Sequence, residues 1–179
     1  MAFCLFKLFK KRHGSMLDLA RRAGVVFGDG NTFASPFWSE AEPYLIQVGD
    51  DCQITDGVKM FTHGGSKVAR KRYPKFDCFG RVIIGNNVYI GNNSLIMPGV
   101  TVGDNVLIAA GSVVCRSVPS DSVVGGNPAQ FICTVDEYIM RNVQYNLDSK
   151  GLTRKAKKRL IMATSEEKLI HKDYMKTFR

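Results

Sequence analysis

The residues best suited to move a proton near neutral pH are three histidines, His13, His63 and His171. His13 and His171 stand towards the two ends of the chain, whereas His63 lies in its interior, in the phrase MFTHGGS at 60–66. One imidazole can act as a general base, and it can equally be a packing residue; residue type alone leaves both readings open. Five cysteines, Cys4, Cys52, Cys78, Cys115 and Cys133, are odd in number, far apart and free of any C-x-x-C pair. That usage fits reduced thiols in a cytoplasm better than a disulfide framework or a zinc knot. Neither Cys78 nor Cys115 has a histidine near it in sequence, and there is no G-x-S-x-G phrase. Nucleophilic catalysis therefore has no constellation to rest on.

The element that must position His63 is a six-residue repeat. Residues 84–119 read IGNNVY, IGNNSL, IMPGVT, VGDNVL, IAAGSV and VCRSVP. Position one is Ile84, Ile90, Ile96, Val102, Ile108 and Val114, always aliphatic. Position two is mostly tiny, and position five (Val88, Ser94, Val100, Val106, Ser112, Val118) is small or β-branched. A weaker group upstream, Val48, Ile54 and Met60, keeps the same register. Hexapeptide repeats are the signature of a parallel β-helix, an all-β solenoid. Each face of such a coil needs one aliphatic side chain on the axis and one small inward residue near the corner. Gly or Asn suits the corner itself, where the backbone turns with φ > 0.

Around this core the remaining segments read as appendages. Residues 15–23, SMLDLARRA, predict a helix with Ser15 as cap and Gly24 as stop. The register is lost over 64–80, a long loop with Lys67, Arg70, Lys71, Arg72 and Lys75 interleaved with Tyr73, Phe76 and Phe79. Its three aromatics favour an arm that packs against something over a solvated excursion. Trp38 reads as a packing residue. After Pro119 the repeats fade, Thr134 with Glu137 predicts a helix over 135–145, and Thr164 with Glu167 another helix start. The tail would cap the apolar end of the solenoid. The expected division is a helical segment at 1–24, the β-helix domain at 25–133 and a basic helical extension at 134–179.

The net charge of +9 would suit a polyanion, but no nucleic-acid motif accompanies it, so no nucleic acid is expected. No apolar run approaches the length of a membrane span. The opening MAFCLFKLFKKRHGS is broken by Lys7, Lys10, Lys11 and Arg12, which makes it a poor secretion signal. It reads as a short amphipathic helix on the first coil, with weak peripheral membrane contact as the alternative.

The hexads, followed by VVGGNPAQFI at 123–132, resemble the left-handed β-helix acetyltransferases over residues 25–132. The resemblance is to the branch of maltose, galactoside, xenobiotic and polysaccharide O-acetyltransferases, and EPYLIQVGD at 42–50 is similar to the start of the coils in its polysaccharide and xenobiotic members. The left hand is implied by the resemblance, since parallel crossovers are ordinarily right-handed. So is the role of His63, which matches the catalytic histidine of a Thr-His-Asp-Gly phrase; here Gly64 stands in place of the Asp. Acetyl transfer from a thioester needs the acceptor hydroxyl to lose its proton as it attacks the carbonyl. An imidazole, with an ordinary pKa near ~6.5, can take it, and such help is worth roughly 10²- to 10⁴-fold. Direct attack without an acyl-enzyme is the expected course.

The resemblance also implies acetyl-CoA as cosubstrate, with Asn92 and Ala110 beside the pantetheine arm. Cys115 and Arg116 match the usual Thr-Lys pair near the adenosine phosphate, and Gln130 stands where a basic residue is common. Asp29, Asn31, Glu42 and the 67–75 loop flank the implied acceptor cleft, which in the family lies between subunits of a homotrimer. A zinc site of the carbonic-anhydrase kind would need three histidines on facing coils, and the coils offer His63 alone, so no metal is expected. The expectation is a cytoplasmic, trimeric, acetyl-CoA-dependent O-acetyltransferase acting on a sugar hydroxyl in surface-polysaccharide biosynthesis. The alternatives are a xenobiotic or antibiotic acetyltransferase and a non-catalytic β-helix scaffold.

Overall fold

A computed structural model describes residues 15–38 and 41–175. The amphipathic helix expected at the extreme N-terminus lies outside the described residues. The first described element, α1 (Met16–Ala23), carries a complete capping box. Ser15 Oγ accepts from Asp18 N at 3.2 Å, and the Asp18 carboxylate accepts from Ser15 N at 2.9 Å. Gly24, at φ 104°, ends the helix in the left-handed region that a side chain would disfavour.

Eleven short strands then wind into three parallel sheets. One face is built from β1 (Val26–Phe27), β3 (Ile46–Val48), β6 (Val82–Ile84) and β9 (Thr101–Val102). The second stacks β2 (Thr32–Phe33), β4 (Gln53–Ile54), β7 (Tyr89–Ile90) and β10 (Leu107–Ile108). The third stacks β5 (Lys59–Met60), β8 (Leu95–Ile96) and β11 (Val113–Val114). Both inward positions of the hexads are buried, the aliphatic ones from Val48 to Val114 and the small ones from Cys52 to Val118. The two serines among them are satisfied. Ser94 Oγ donates towards Gly91 O at 2.8 Å and Ala109 O at 3.0 Å, and Ser112 Oγ donates to Ala109 O.

Stacking is tight enough to dictate residue types at the corners. A Cβ added at Gly91 would lie 2.4 Å from the backbone nitrogen of Ala110 on the next coil. Asn87, Asn105 and Asp121 hold φ between 52° and 57° at one corner, and their side chains form a ladder. Asn87 Nδ2 donates to Asn105 Oδ1 at 2.9 Å, and Asn105 Nδ2 to Asp121 Oδ1 at 3.1 Å.

Register records where the chain leaves the coil. Partners are 18 residues apart in the unbroken part, as for Ile84 with Val102 and Ile96 with Val114. They are 36 apart across the 64–80 loop, as for Val48 with Ile84 and Ile54 with Ile90. The loop thus adds the length of one whole turn without shifting the stack. It is clipped at its base by Gly80 N donating to Thr62 O at 2.7 Å and by an antiparallel bridge between His63 and Phe79. Inside it, a helical turn at Ser66–Ala69 is tied down through Asp77, which accepts from Ser66 Oγ at 2.8 Å and pairs with Arg70 at 3.5 Å. Tyr73, Phe76 and Phe79 stay exposed within the single chain. Trp38 packs edge-on against buried Phe37, with ring centroids 5.1 Å apart.

Beyond the hexads, β12 (Ser122–Gly126) extends the second sheet and β13 (Ala129–Thr134) folds back on it antiparallel, a return strand absent from the sequence reading. The chain falls into two compact units that meet at Val135 and Asp136. The second contains most of α2 (Val135–Asn142), followed by a 3₁₀ turn at Val143–Tyr145, and then α3 (Arg154–Ala163). The helix expected from Thr164 is not formed: only a 3₁₀ turn, Glu166–Lys168, follows. Thr164 is the C-terminal boundary of α3, its hydroxyl turned back to donate to Leu160 O at 2.8 Å, and Ser165 takes the N-cap position of the 3₁₀ turn with no side-chain cap hydrogen bond. Among the described residues no helix is long and apolar enough to cross a membrane.

Two consequences can be measured. Ile90→Ala should cost about 2–5 kcal/mol in urea unfolding, because the fully buried side chain sits between stacked coils, whereas exposed Val26→Ala should stay within about 0.5 kcal/mol. In native protein, Cys78 and Cys115 should react with a thiol reagent before Cys52. The Cys52 thiol is buried, donates to Gly85 O at 3.1 Å, and is pushed above the ordinary thiol range by desolvation.

Candidate active site

His63 stands just past β5, at the corner where the coil gives way to the loop. Its Nδ1 lies 2.6 Å from Oε2 of Glu42. The same carboxylate oxygen accepts from the hydroxyl of buried Thr62 at 2.9 Å. The Glu42 side chain is 15% exposed and the His63 side chain 40% exposed, so the carboxylate is sheltered while the ring faces outward. An ionised carboxylate only accepts, so Nδ1 must donate, and in the neutral ring Nε2 keeps its lone pair. The Phe79 ring, 5.9 Å away by centroid, flanks the imidazole. A cleft of about 320 Å³ opens on the pair, lined by Glu42, His63, Gly64, Ser66, Lys67 and Phe79 among others.

Glu42 was expected to flank the acceptor cleft; it lines the cleft, and its carboxylate is bonded to His63 and Thr62. The residue after His63 is Gly64, and an acidic partner nonetheless reaches the ring from 21 positions upstream. That spacing has a structural cause. In the first coil, strand partners are 21 residues apart, Phe27 with Val48 and Phe33 with Ile54. The three residues beyond the usual 18 fall between Phe33 and Val48, where the 3₁₀ turn Pro43–Leu45 widens the coil with Glu42 just before it. A count of register in the first coil, rather than a motif, would have paired Glu42 with His63. Asn31 is also occupied structurally: its amide donates to Gly28 O and Gly49 O and its oxygen accepts from Cys52 N, all within 2.8–2.9 Å.

The residues assigned to the cofactor fall into two groups. Asn92 and Ala110 are exposed and adjacent at one corner on successive coils, with Gly111 N donating to Asn92 O at 2.8 Å. Arg116 and Gln130 line a second cleft of about 180 Å³ together with Ser117, Val124 and Phe131. Cys115 is exposed beside them, its thiol 3.7 Å from Val113 O. Arg116 has no carboxylate partner among the described residues, which leaves its guanidinium open to a phosphate. Met60, Ile96 and Val114 are stacked partners, so Thr62 and Arg116 share one register position two strand spacings apart, about 10 Å along the axis. Even so, no residue lines both clefts. Among the described residues no cluster of three or more His, Cys, Asp and Glu could hold a metal ion.

A parallel β-helix of hexads with an acid-held histidine at a coil corner sets the class, and comparison with known proteins agrees. The bacterial transferase hexapeptide family (six repeats) matches residues 81–116. Protein CapG of Staphylococcus aureus is 44% identical over 147 residues, which is 79% of this chain and 85% of CapG. The galactoside O-acetyltransferase of Escherichia coli strain K12 is 32% identical over 109 residues, 60% of this chain but 53% of that protein. A structure of galactoside acetyltransferase in complex with coenzyme A overlays with a TM-score of 0.50, covering 74% of this chain and 78% of that one; at 22% identity the likeness is one of fold. The chain belongs to the hexapeptide-repeat acetyltransferases of the left-handed β-helix family, and is an acyltransferase.

The hydrogen bond makes a prediction that does not depend on substrate. Long-range ¹H–¹⁵N spectra should show neutral His63 with its proton on Nδ1, and Glu42→Gln should weaken that preference. A ring carrying its proton on Nε2 in the unsubstituted protein would contradict the geometry.

Proposed function

We propose that this protein transfers the acetyl group of acetyl-CoA to a sugar hydroxyl, in the assembly of a surface polysaccharide, with His63 as general base. The observation that carries the reading is the 2.6 Å contact between His63 Nδ1 and Glu42 at the mouth of a cleft, in a chain of this family. The sugar acceptor is supported by the similarity to a galactoside O-acetyltransferase.

In this mechanism Glu42 holds Nδ1–H and thereby aims the Nε2 lone pair into the cleft. Nε2 takes the proton of the acceptor hydroxyl as its oxygen attacks the thioester carbonyl. The tetrahedral intermediate collapses by expelling the CoA thiolate, and Nε2 returns the proton to that sulfur. The carboxylate of Glu42 stabilises the imidazolium between these steps, the role of the acid in any base–orienter pair. Asn92 and Ala110 provide the corner along which the pantetheine arm runs. Arg116, with Gln130 beside it, takes the phosphates. Two clefts without a shared residue fit a site completed by a second copy, and a homotrimer in the cytoplasm, where acetyl-CoA is supplied, is the assembly we assign.

Thermal-shift titration with acetyl-CoA tests the donor without a guess about the acceptor. At ligand about 100 times Kd, stability should rise by about 2.7 kcal/mol. Absence of any shift at millimolar ligand would remove the donor assignment and favour a scaffold. In an acceptor panel, His63→Ala should lower kcat by roughly 10²- to 10⁴-fold while leaving the acetyl-CoA shift intact. Unchanged turnover in His63→Ala would end the general-base role.

A further inference from the structure

The second unit contains a helix whose charges work against its own stability. Helix α3 carries Arg154, Lys155, Lys157, Lys158 and Arg159 and no acid, and residues 150–165 contain no Asp or Glu at all. Arg154 and Lys155 occupy the first turn, where the helix dipole is positive and favours anions. Arg154 with Lys158 and Lys155 with Arg159 are like-charge pairs at i,i+4, which also destabilise a helix. None of these five cations has an ion pair among the described residues. The helix is held by other means: Thr153 caps it through Ala156 N at 3.2 Å, and Ala156, Leu160 and Thr164 at i, i+4 and i+8 form its half-buried stripe.

The opposite stripe mixes charge with exposed apolar bulk. Arg154, Lys158, Ile161 and Met162 follow i, i+4, i+7, i+8 spacing and all are exposed, Ile161 at 40% and Met162 at 76%. Lys155 and Arg159 border this stripe on the Met162 side, both exposed. Leu152, just before the helix, and Ile170, after it, are exposed as well.

We propose that α3 is a docking face for an anionic lipid bilayer, holding the protein peripherally against a membrane surface. The pattern selects this occupant over two others. A soluble polyanion would satisfy the cations but leave Ile161 and Met162 in water. A second copy meeting face to face would set four cations against four. At a bilayer both halves of the pattern are satisfied. The basic heads reach lipid phosphates while their stems lie along apolar surface, and Ile161 and Met162 enter the acyl boundary. The inference is independent of the acetyl-transfer reading, since it uses none of the cleft residues.

The test is co-sedimentation of the full chain with phosphatidylcholine vesicles and with vesicles containing about one-third phosphatidylglycerol, at low and high salt. Binding should require the anionic lipid and weaken with salt. Lys155→Ala/Lys158→Ala should lower partitioning about 25-fold, at roughly fivefold per charge removed. Ile161→Ser/Met162→Ser should weaken vesicle binding while leaving binding to a heparin column unchanged. Circular dichroism and the thermal unfolding midpoint serve as controls that each variant is folded. Equal binding to neutral vesicles, or no loss in the lysine pair, overturns the proposal; because every variant retains residues 1–14, the latter result would assign any binding elsewhere. Loss on heparin but not on vesicles in the lysine pair would hand the face to a soluble polyanion. Self-association that disappears in Ile161→Ser/Met162→Ser would hand it to a second copy.

Discussion

The coils of the first unit depend on backbone hydrogen bonds made between coils rather than within them. Each two-residue strand is too short to stand alone; it persists because the strands before and after it lie in register on the same face. Leu107, for example, pairs with Tyr89 on one side and Val123 on the other. Close stacking then constrains the sequence. Where Gly91 lies against Ala110, even a methyl group would meet backbone, and where Asn87, Asn105 and Asp121 turn the corner, an amide or carboxylate both tolerates positive φ and bonds to its neighbour above. The hexad is the imprint of that constraint on the chain.

A stack of this kind is rigid and nearly featureless, so chemistry has to be added where it is interrupted. Two interruptions meet at His63. The three-residue widening of the first coil carries Glu42, and the 64–80 loop begins immediately after the histidine. Between them they convert a corner that elsewhere holds only turn residues into an acid-oriented imidazole at the edge of a cleft. The rigidity of the coils is what makes a single side-chain contact sufficient to orient the ring.

The coils and both of their inward positions were legible from residue type because burial repeats every six residues without exception from Ile84 to Val118. The position of His63 was legible for the opposite reason, as the point where the repeat stops. Its partner was not, because the pairing depends on coil size, and the first coil is three residues longer than the repeat teaches. The return strand β13 was not legible because its sequence, AQFICT, breaks the hexad and alternates poorly, with only Cys133 buried. Thr164 and Glu167 carried a genuine start signal, but Thr164 closes the preceding helix and Ser165 begins the turn that follows; a local motif cannot show which neighbouring element a residue already belongs to.

The clipped base of the 64–80 loop separates two design problems. The chain departs and returns through hydrogen-bonded neighbours, Thr62 with Gly80 and His63 with Phe79, so the coils on either side stack as though nothing intervened. For a loop closed in this way, doubling its length adds only about 0.6 kcal/mol of closure entropy. The wall beside His63 can therefore be lengthened, shortened or recomposed over evolutionary time at almost no cost to the scaffold. The lining of the cleft and the integrity of the coils are free to diverge along separate paths within one short chain.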